Sequence, residues 1–341
     1  MSSPVATFAE IRRLVRDLPG PDLASRTKAV AREATLTKPQ GALGRLEALA
    51  EWMAAWQGNH PPQLRRPRIA VFAGNHGVAA RGVSAYPADV TAQMVRNFIA
   101  GGAAVNQICR SVDADLRVYE MSLETPTADF TAAPAMSEEE CARAMAYGMM
   151  AVEQGVDLLA LGEMGIANTT AGAALCLALF GGAAADWTGP GTGVDGDALA
   201  RKRDTVAVAV ARHAAEAGGD GLEILRRLGG FELAAIAGAV IAARLARVPV
   251  LLDGFTATAA AATLTRLDAR LLDHCEIGHL SAEPAHARLC ERLGRRPLLD
   301  LGMRLGEASG AALAIALVRA AVECHTGMAS FAKAGVSGPS G

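Results

Sequence analysis

Glu163 and Glu307 are the two carboxylates whose surroundings suggest chemistry. Glu163 lies in DLLALGEMGIANTT (157–170), which reads as a short buried strand, a glycine-bearing turn and the start of a small-residue helix over 171–180. Strand, tight turn and helix N-terminus together form an anion site, because the first helical N–H groups are unpaired and point outward. Asn168, Thr169 and Thr170 can cap that helix and also reach a phosphate or a ribose hydroxyl. An ordinary strand–helix turn with a polar cap would read the same, so this stretch leaves both readings open. Glu307 lies in LGEASG, just before an apolar helix expected over 308–322. There a carboxylate is either a stabilising capping charge or, if it lines an apolar pocket, a general base.

Other polar turns follow candidate strands. Asn75-His76-Gly77 precedes Ser84, Tyr86 and Gln93, and the loop 189–196 (GPGTGVDG) leads into a helix bearing Arg201, Lys202 and Arg203. Further turns are DGFT (253–256), GHLSAEP (278–284) and RLGEASG (304–310). The C-terminal ends of parallel strands lie along one edge, so these turns can converge on one crevice. Gly191, Thr192 and Gly193 fit a phosphate cradle or a plain turn. The loop is neither a P-loop nor a GxGxxG directly after a strand, so the ATP and NAD fingerprints are absent. Lys202 reads as a solvated helix charge unless the loop before it holds an anion. His76 and His279 lack metal-ligand spacing and read as hydrogen-bonding turn residues. Ser84 and Ser281 have no nucleophile-elbow pattern around them.

The elements that must position these residues alternate. From Pro67 onward, strands are expected at 68–72, 116–121, 157–161 and 248–252, with weaker ones at 272–277 and 298–301, separated by helical segments. That pattern predicts an α/β fold, a doubly wound, mainly parallel, Rossmann-like sheet. Residues 1 to about 60 read as helical. Ile11, Leu14, Val15 and Leu18 share one helical face, as do Leu43, Leu46, Leu49 and Ala50, and GNHPP (58–62) closes the region.

Composition narrows the class further. The 341 residues suggest about two domains on a prior of ~150 residues each. Hydrophobic residues make up 51% and aromatics only 4%, so small aliphatic side chains build the core, as closely packed helices on a parallel sheet require. The net charge of −2 offers no basic field for nucleic acid. The six cysteines form no CxxC or His/Cys cluster, which predicts reduced thiols and neither zinc nor disulfides. Apolar runs fall short of the ~20 residues that span a bilayer, and no signal peptide is visible. These features predict a cytoplasmic protein.

Read in order, the motifs resemble the nicotinate-nucleotide–dimethylbenzimidazole phosphoribosyltransferase family. The resemblance rests on TKPQGALGRLE (37–47), GNHGVAARGVSAYP (74–87), VTAQM (90–94), GEMGIANTT (162–170), GTG with the following ARK (191–193, 200–202), GGFE (229–232), LDGF (252–255), GHLSAEP (278–284) and RLGEASGAAL (304–313). It implies transfer of phosphoribose from nicotinate mononucleotide to 5,6-dimethylbenzimidazole, with Glu307 as the base. It places Glu163, Gly165, Asn168, Thr169, Lys202 and Ser281 around the phosphoribose, with Gly191, Thr192 and Gly193 nearby. Ser84, Tyr86, Gln93 and Leu305 fall in the acceptor-base pocket. No metal or cofactor is implied. The family fold is a large α/β domain (63–319) with a small helical domain from both chain ends (1–62 and about 320–341), assembled as a homodimer.

The chain departs from the family pattern at Ala167, Gln40 and Ala42, where Gly, Pro and Ser are frequent. An Ala in the 162–170 turn restricts φ where Gly would not. A related transferase acting on adenine or a phenol, and a non-catalytic nucleotide- or benzimidazole-binding protein, remain as alternatives. The residues from Ser84 to Gln93 bear on the first, and the presence of Glu307 weighs against the second.

Overall fold

The computed structural model describes residues 6–337. Five strands form one parallel sheet: β1 (Pro67–Ala73), β2 (Asp115–Glu120), β3 (Leu158–Met164), β4 (Val250–Leu252) and β5 (Cys275–Ile277), ordered β2-β1-β3-β4-β5. β1 is paired on both sides, with Val71 opposite Val118 of β2 and Gly162 of β3. Every residue of β1 is buried. A strand covered on both faces needs a continuous apolar run, and Ile69 to Ala73 supplies it. Edge strand β2 alternates at its start instead, with Asp115 and Arg117 exposed and Leu116 and Val118 half-buried.

Helices cover both faces, as a doubly wound sheet requires. Ala70, Phe72, Leu159, Leu161, Val250 and Leu252 share a core with helices Glu138–Met149, Asn168–Phe180, Phe231–Leu245 and Phe255–Ala262. The alternate residues Ile69, Val71, Leu158, Ala160 and Leu251 pack against Arg45–Gln57, Ala104–Ser111 and Ser309–Gly327. From β1 the chain crosses to β2 on one side and returns to β3 on the other. The crevice beyond the C-terminal ends of β1 and β3 is therefore the switch point where such sheets bind ligands.

Local signals set the helix starts. Ser137 accepts from the Glu140 N–H at 3.2 Å, and the Glu140 carboxylate accepts from the Ser137 N–H at 2.7 Å, a capping box that opens Glu138–Met149. The first helix, Phe8–Arg16, buries Phe8 and Ile11 in the first of the two cores. Helix Leu23–Glu33 lies elsewhere. Its Arg32 donates to the carbonyls of His325, Thr326 and Met328 at the end of helix Ser309–Gly327.

Three expectations need correction. The segment 298–301 is no strand: it meets the sheet edge through the isolated bridge between His279 and Leu299 and one bond from the Leu298 N–H to the Ile277 carbonyl at 2.8 Å. The carbonyls of Arg296 and Pro297 accept from the Arg45 guanidinium instead, and Pro297 has no N–H to extend a ladder. Leu272 ends a tight turn, Ala269–Leu272, and β5 begins only at Cys275. Leu43 precedes the helix Arg45–Gln57 rather than joining its face. Of the frayed tail expected over 335–341, residues 338–341 lie outside the described residues, and Gly335 caps the short helix Phe331–Ala334. No helix among the described residues is long and apolar enough to cross a membrane.

Candidate active site

A cleft of about 670 Å³ opens at the switch point, lined by the turns after β3, β4 and β5 and by the segments 191–192 and 304–307. Its walls combine apolar side chains (Val90, Met94, Ile166, Phe255, Leu305) with four carboxylates, Glu163, Asp253, Glu283 and Glu307. An apolar cleft with a few convergent polar groups is the usual form of a small-molecule site. A second, more open depression is lined by Arg81, Asp197, Arg201 and Asp204. Those four charges are all exposed, so that surface offers no comparable chemistry.

β3 delivers Glu163 on its last turn of chain, and a backbone hydrogen bond from Glu307 N to Glu163 O (3.1 Å) brings the two carboxylates to one place. Glu307 is buried, and its Oε2 has no hydrogen-bond partner among the described residues. Burial, then the charge of Asp253, pushes its carboxyl up to about 7, while the Val105 N–H opposes. Glu307 caps nothing: the N-cap of helix Ser309–Gly327 is Ala308, with no side-chain cap bond. Glu307 and Ala308 both hold left-handed backbone, with φ of 61° and 60°. Two successive non-glycine residues in that region cost roughly 1–3 kcal/mol each, and such strain clusters at functional sites.

Glu163 is pushed up further, to about 8. Burial dominates, the side-chain hydrogen bond from Asn168 opposes, and Glu232, Asp253 and Glu307 add like-charge repulsion. Asn168 does not cap the helix. It is the first residue of helix Asn168–Phe180, and its Nδ2 donates to Glu163 Oε2. The N-cap is Ala167 at φ 76°, so here the turn forces an alanine into glycine's region. Thr169 likewise makes no cap bond; its Oγ1 accepts from Lys202 Nζ at 2.8 Å.

Lys202 is not the solvated charge that its helix suggested. It is 1% exposed, and Nζ also donates to the Gly189 carbonyl at 3.0 Å. Burial lowers its ammonium to about 8, with Glu283 pulling the other way. It sits behind the loop 189–193 rather than on the cleft wall. The loop's Gly191 and Thr192 line the cleft and Gly193 does not. Ser281 lines it too, though its Oγ accepts from Glu283 N at 3.2 Å. Of the acceptor-side residues, Tyr86 and Leu305 line the cleft. Ser84 is outside the lining and meets it through Thr192, Oγ to Oγ1 at 3.0 Å, and through the Tyr86 N–H, which donates to its Oγ at 3.3 Å; Gln93 is exposed outside the lining.

Sequence reasoning assigned no site role to four titratable lining residues. Asp253 follows β4 and accepts from the Ala311 N–H at 2.9 Å, with burial raising its carboxyl. His279 follows β5 and is buried, with Nε2 3.5 Å from Asp253 Oδ1. Glu283 accepts from Gly191 N at 3.1 Å, and Arg304 donates to the Gly191 carbonyl at 2.9 Å. Each stands in a turn the sequence marked as following a candidate strand, which was the available signal. Among the described residues, no group of three or more His, Cys, Asp or Glu is placed to hold a metal ion.

The chain is similar to known proteins over nearly its whole length. A family model described as phosphoribosyltransferase (DBI_PRT) matches residues 18–336. The chain is 56% identical over 338 residues to the nicotinate-nucleotide–dimethylbenzimidazole phosphoribosyltransferase of Brucella anthropi, covering 99% of each chain. It is 58% identical over 331 residues to the enzyme of the same name from Rhizobium etli, covering 97% of each. A crystal structure of the Thermus thermophilus enzyme of that name superposes with a TM-score of 0.86 at 42% identity, covering 93% of this chain and all of that one.

Proposed function

This chain belongs to the nicotinate-nucleotide–dimethylbenzimidazole phosphoribosyltransferase family, and we propose a division of labour in which Glu307 is the base and Glu163 a hydrogen-bonding carboxyl. The reaction moves phosphoribose from nicotinate mononucleotide to 5,6-dimethylbenzimidazole, giving α-ribazole 5′-phosphate and nicotinate. One benzimidazole nitrogen forms a bond to the anomeric carbon as the bond to the pyridinium nitrogen breaks. The electron pair of the broken bond stays on that ring nitrogen, which leaves neutral and needs no general acid. The proton of the other benzimidazole nitrogen passes to Glu307. Attack opposite the leaving group turns the β bond into an α bond. The remaining task is positioning the two reactants in the cleft.

The observation that carries this reading is Glu307 itself: a buried carboxyl with one oxygen unpartnered, facing the cleft, pushed up to about 7. A base is most effective when it titrates near working pH. Glu163, at about 8, keeps its proton at neutral pH and can donate to a ribose hydroxyl. Their surroundings separate the two: Asn168 holds Glu163 Oε2, while Glu307 Oε2 has no partner among the described residues and is left to take a proton. Gly165, Asn168, Thr169 and Gly191–Gly193, with Lys202 and Ser281, form the phosphoribose side in this reading; Arg304 adds a cation at its edge. Ser84, Tyr86, Gln93 and Leu305 form the acceptor side. A homodimer accounts for the exposure of Tyr86 and Leu305 at the cleft, and five buried thiols among six free cysteines suit a reducing, cytoplasmic setting. In the same reading, the described residues of 1–62 and of about 320–341 make up a small helical domain, whose helices Phe8–Arg16 and Arg45–Gln57 also pack into the two cores of the α/β body.

The test incubates the protein with both substrates and follows products by HPLC beside a Glu307→Gln variant. Product from the parent with a large loss in the variant supports both reaction and base. Undiminished turnover in the variant removes Glu307 from the chemistry, and absence of product from the folded parent removes the reaction.

A further inference from the structure

Two motifs have no part in the cleft wall, GNHG (74–77) and GGFE (229–232), and the fold joins them directly beneath it. His76 Nε2 donates to Glu232 Oε1 at 2.6 Å across 156 positions of chain, and both side chains are 0% exposed. His76 Nδ1 and Glu232 Oε2 find no partner among the described residues. Three glycines make room for the pair. A Cβ on Gly74 would lie 2.5 Å from Glu232 Oε2, and one on Gly230 would lie 2.3 Å from His76 Cε1. One on Gly165 would lie 3.2 Å from Glu232 Oε1, 3.1 Å from Asn168 Nδ2 and 2.8 Å from the Gly74 carbonyl. Gly165 lines the cleft, so Glu232 stands immediately behind its floor.

Burying such a pair is expensive. Its desolvation is commonly repaid so incompletely that apolar residues of similar volume are as stable. An acid–imidazole pair at zero exposure, pressed against the backbone that carries Glu163 and Asn168, therefore points to the reaction more than to the core. We propose that Glu232, held by His76, is a positioning residue for the phosphoribosyl transfer: it fixes the Gly165–Asn168 turn and is the fixed anion behind Glu163. It touches no substrate and acts through Asn168 and Glu163. The inference rests on the assignment of Glu163 to the phosphoribose.

The groups facing Glu163 are Glu232 from helix Phe231–Leu245, Asp253 from the turn after β4, Glu307 before helix Ser309–Gly327, and Asn168 from its own turn. Of the three carboxylates, Glu232 adds the largest repulsion holding the proton on Glu163. Removing that charge lets Glu163 lose its proton at lower pH.

The experiment compares Glu232→Gln and Glu232→Asp with the parent in kcat and KM for nicotinate mononucleotide from pH 5.5 to 9.5, with circular dichroism and thermal melts. Glu232→Gln keeps the shape and an acceptor for His76 but removes the charge. It is expected to fold, to lose about tenfold or more in kcat/KM, and to move the basic limb of the pH profile down by about one unit. Glu232→Asp keeps the charge and shortens the reach to His76, so it is expected to lose rate with the limb in place. A folded Glu232→Gln with parental kcat/KM and pH profile overturns the proposal. So does loss of rate in both variants with unmoved limbs and matching falls in melting temperature, which would make the pair a core element. The parent's turnover, measured in the same series, tests the underlying reaction separately.

Discussion

Glu307→Gln separates two roles that the sequence leaves open, because they predict opposite changes in stability. A capping carboxylate stabilises its helix, and its loss costs about 1 kcal/mol. Glu307 instead is a carboxyl whose charged form the fold disfavours, raised from 4.5 to about 7 mainly by burial. For a carboxyl raised in the folded state, the unfolded chain releases its proton first as pH rises. Stability is then full below about 4.5, falls as pH climbs toward 7, and stays reduced above it. That difference of about 2.5 pH units corresponds to at most about 3 kcal/mol, at 1.36 kcal/mol each. Gln does not ionise, so Glu307→Gln is expected to match the parent near pH 4.5 and to exceed it by up to about 3 kcal/mol at pH 8. Urea unfolding at both pH values measures this directly. Over the same pH range the variant is expected to lose about 10²- to 10⁴-fold in kcat, the usual worth of a positioned base. A variant that is less stable at pH 8 and still turns over would refute the reasoning and make Glu307 a cap.

Three further outcomes follow from the same geometry. The kcat/KM of the parent should be bell-shaped, rising through about 7 as the Glu307 proton leaves and falling above about 8 as that of Glu163 does. Because the two carboxylates interact, the limbs belong to the pair, and a profile flat from pH 6 to 9 would contradict the assignment. Lys202→Met should raise KM for nicotinate mononucleotide about 10- to 100-fold, the worth of a charge-assisted bond, with a smaller change in kcat; an unchanged KM would return Lys202 to a purely structural role. Ala167→Gly relieves a left-handed alanine at φ 76°. After the entropy of the unfolded glycine, urea unfolding should show equal stability or a gain of about 1 kcal/mol. A clear loss would show that the Ala167 methyl packs better than its backbone suffers.

The sequence by itself determined the framework and the neighbourhood of the chemistry. Runs such as Ile69–Ala73 and Leu158–Leu161 are apolar because both faces of the sheet are covered, so strand positions are legible wherever burial is two-sided. In a parallel sheet the turns after such strands share an edge, which is why Glu163 and the turns holding Asp253 and His279 could be expected together before any contact was seen. The loop 189–193 follows helix Ala184–Trp187 and the segment before Glu307 is no strand, so tertiary structure brought those two in. The failures have one physical cause. Periodicity reports where apolar side chains are buried; the surroundings of a polar one depend on what distant segments bring to it. Lys202 lies on a charged helix face, yet Thr169 and the Gly189 carbonyl bury its ammonium. Asn168 looks like a cap, yet β3 offers it a carboxylate instead. Gln93 stands in a matching motif, and its helix turns it outward. Glu283 meets the Gly191 N–H across 92 positions and His76 meets Glu232 across 156. No local pattern encodes such pairings, since each side chain alone is compatible with solvent. Tertiary structure decided which carboxyls lost their water, and with it which of them can hold or take a proton at neutral pH.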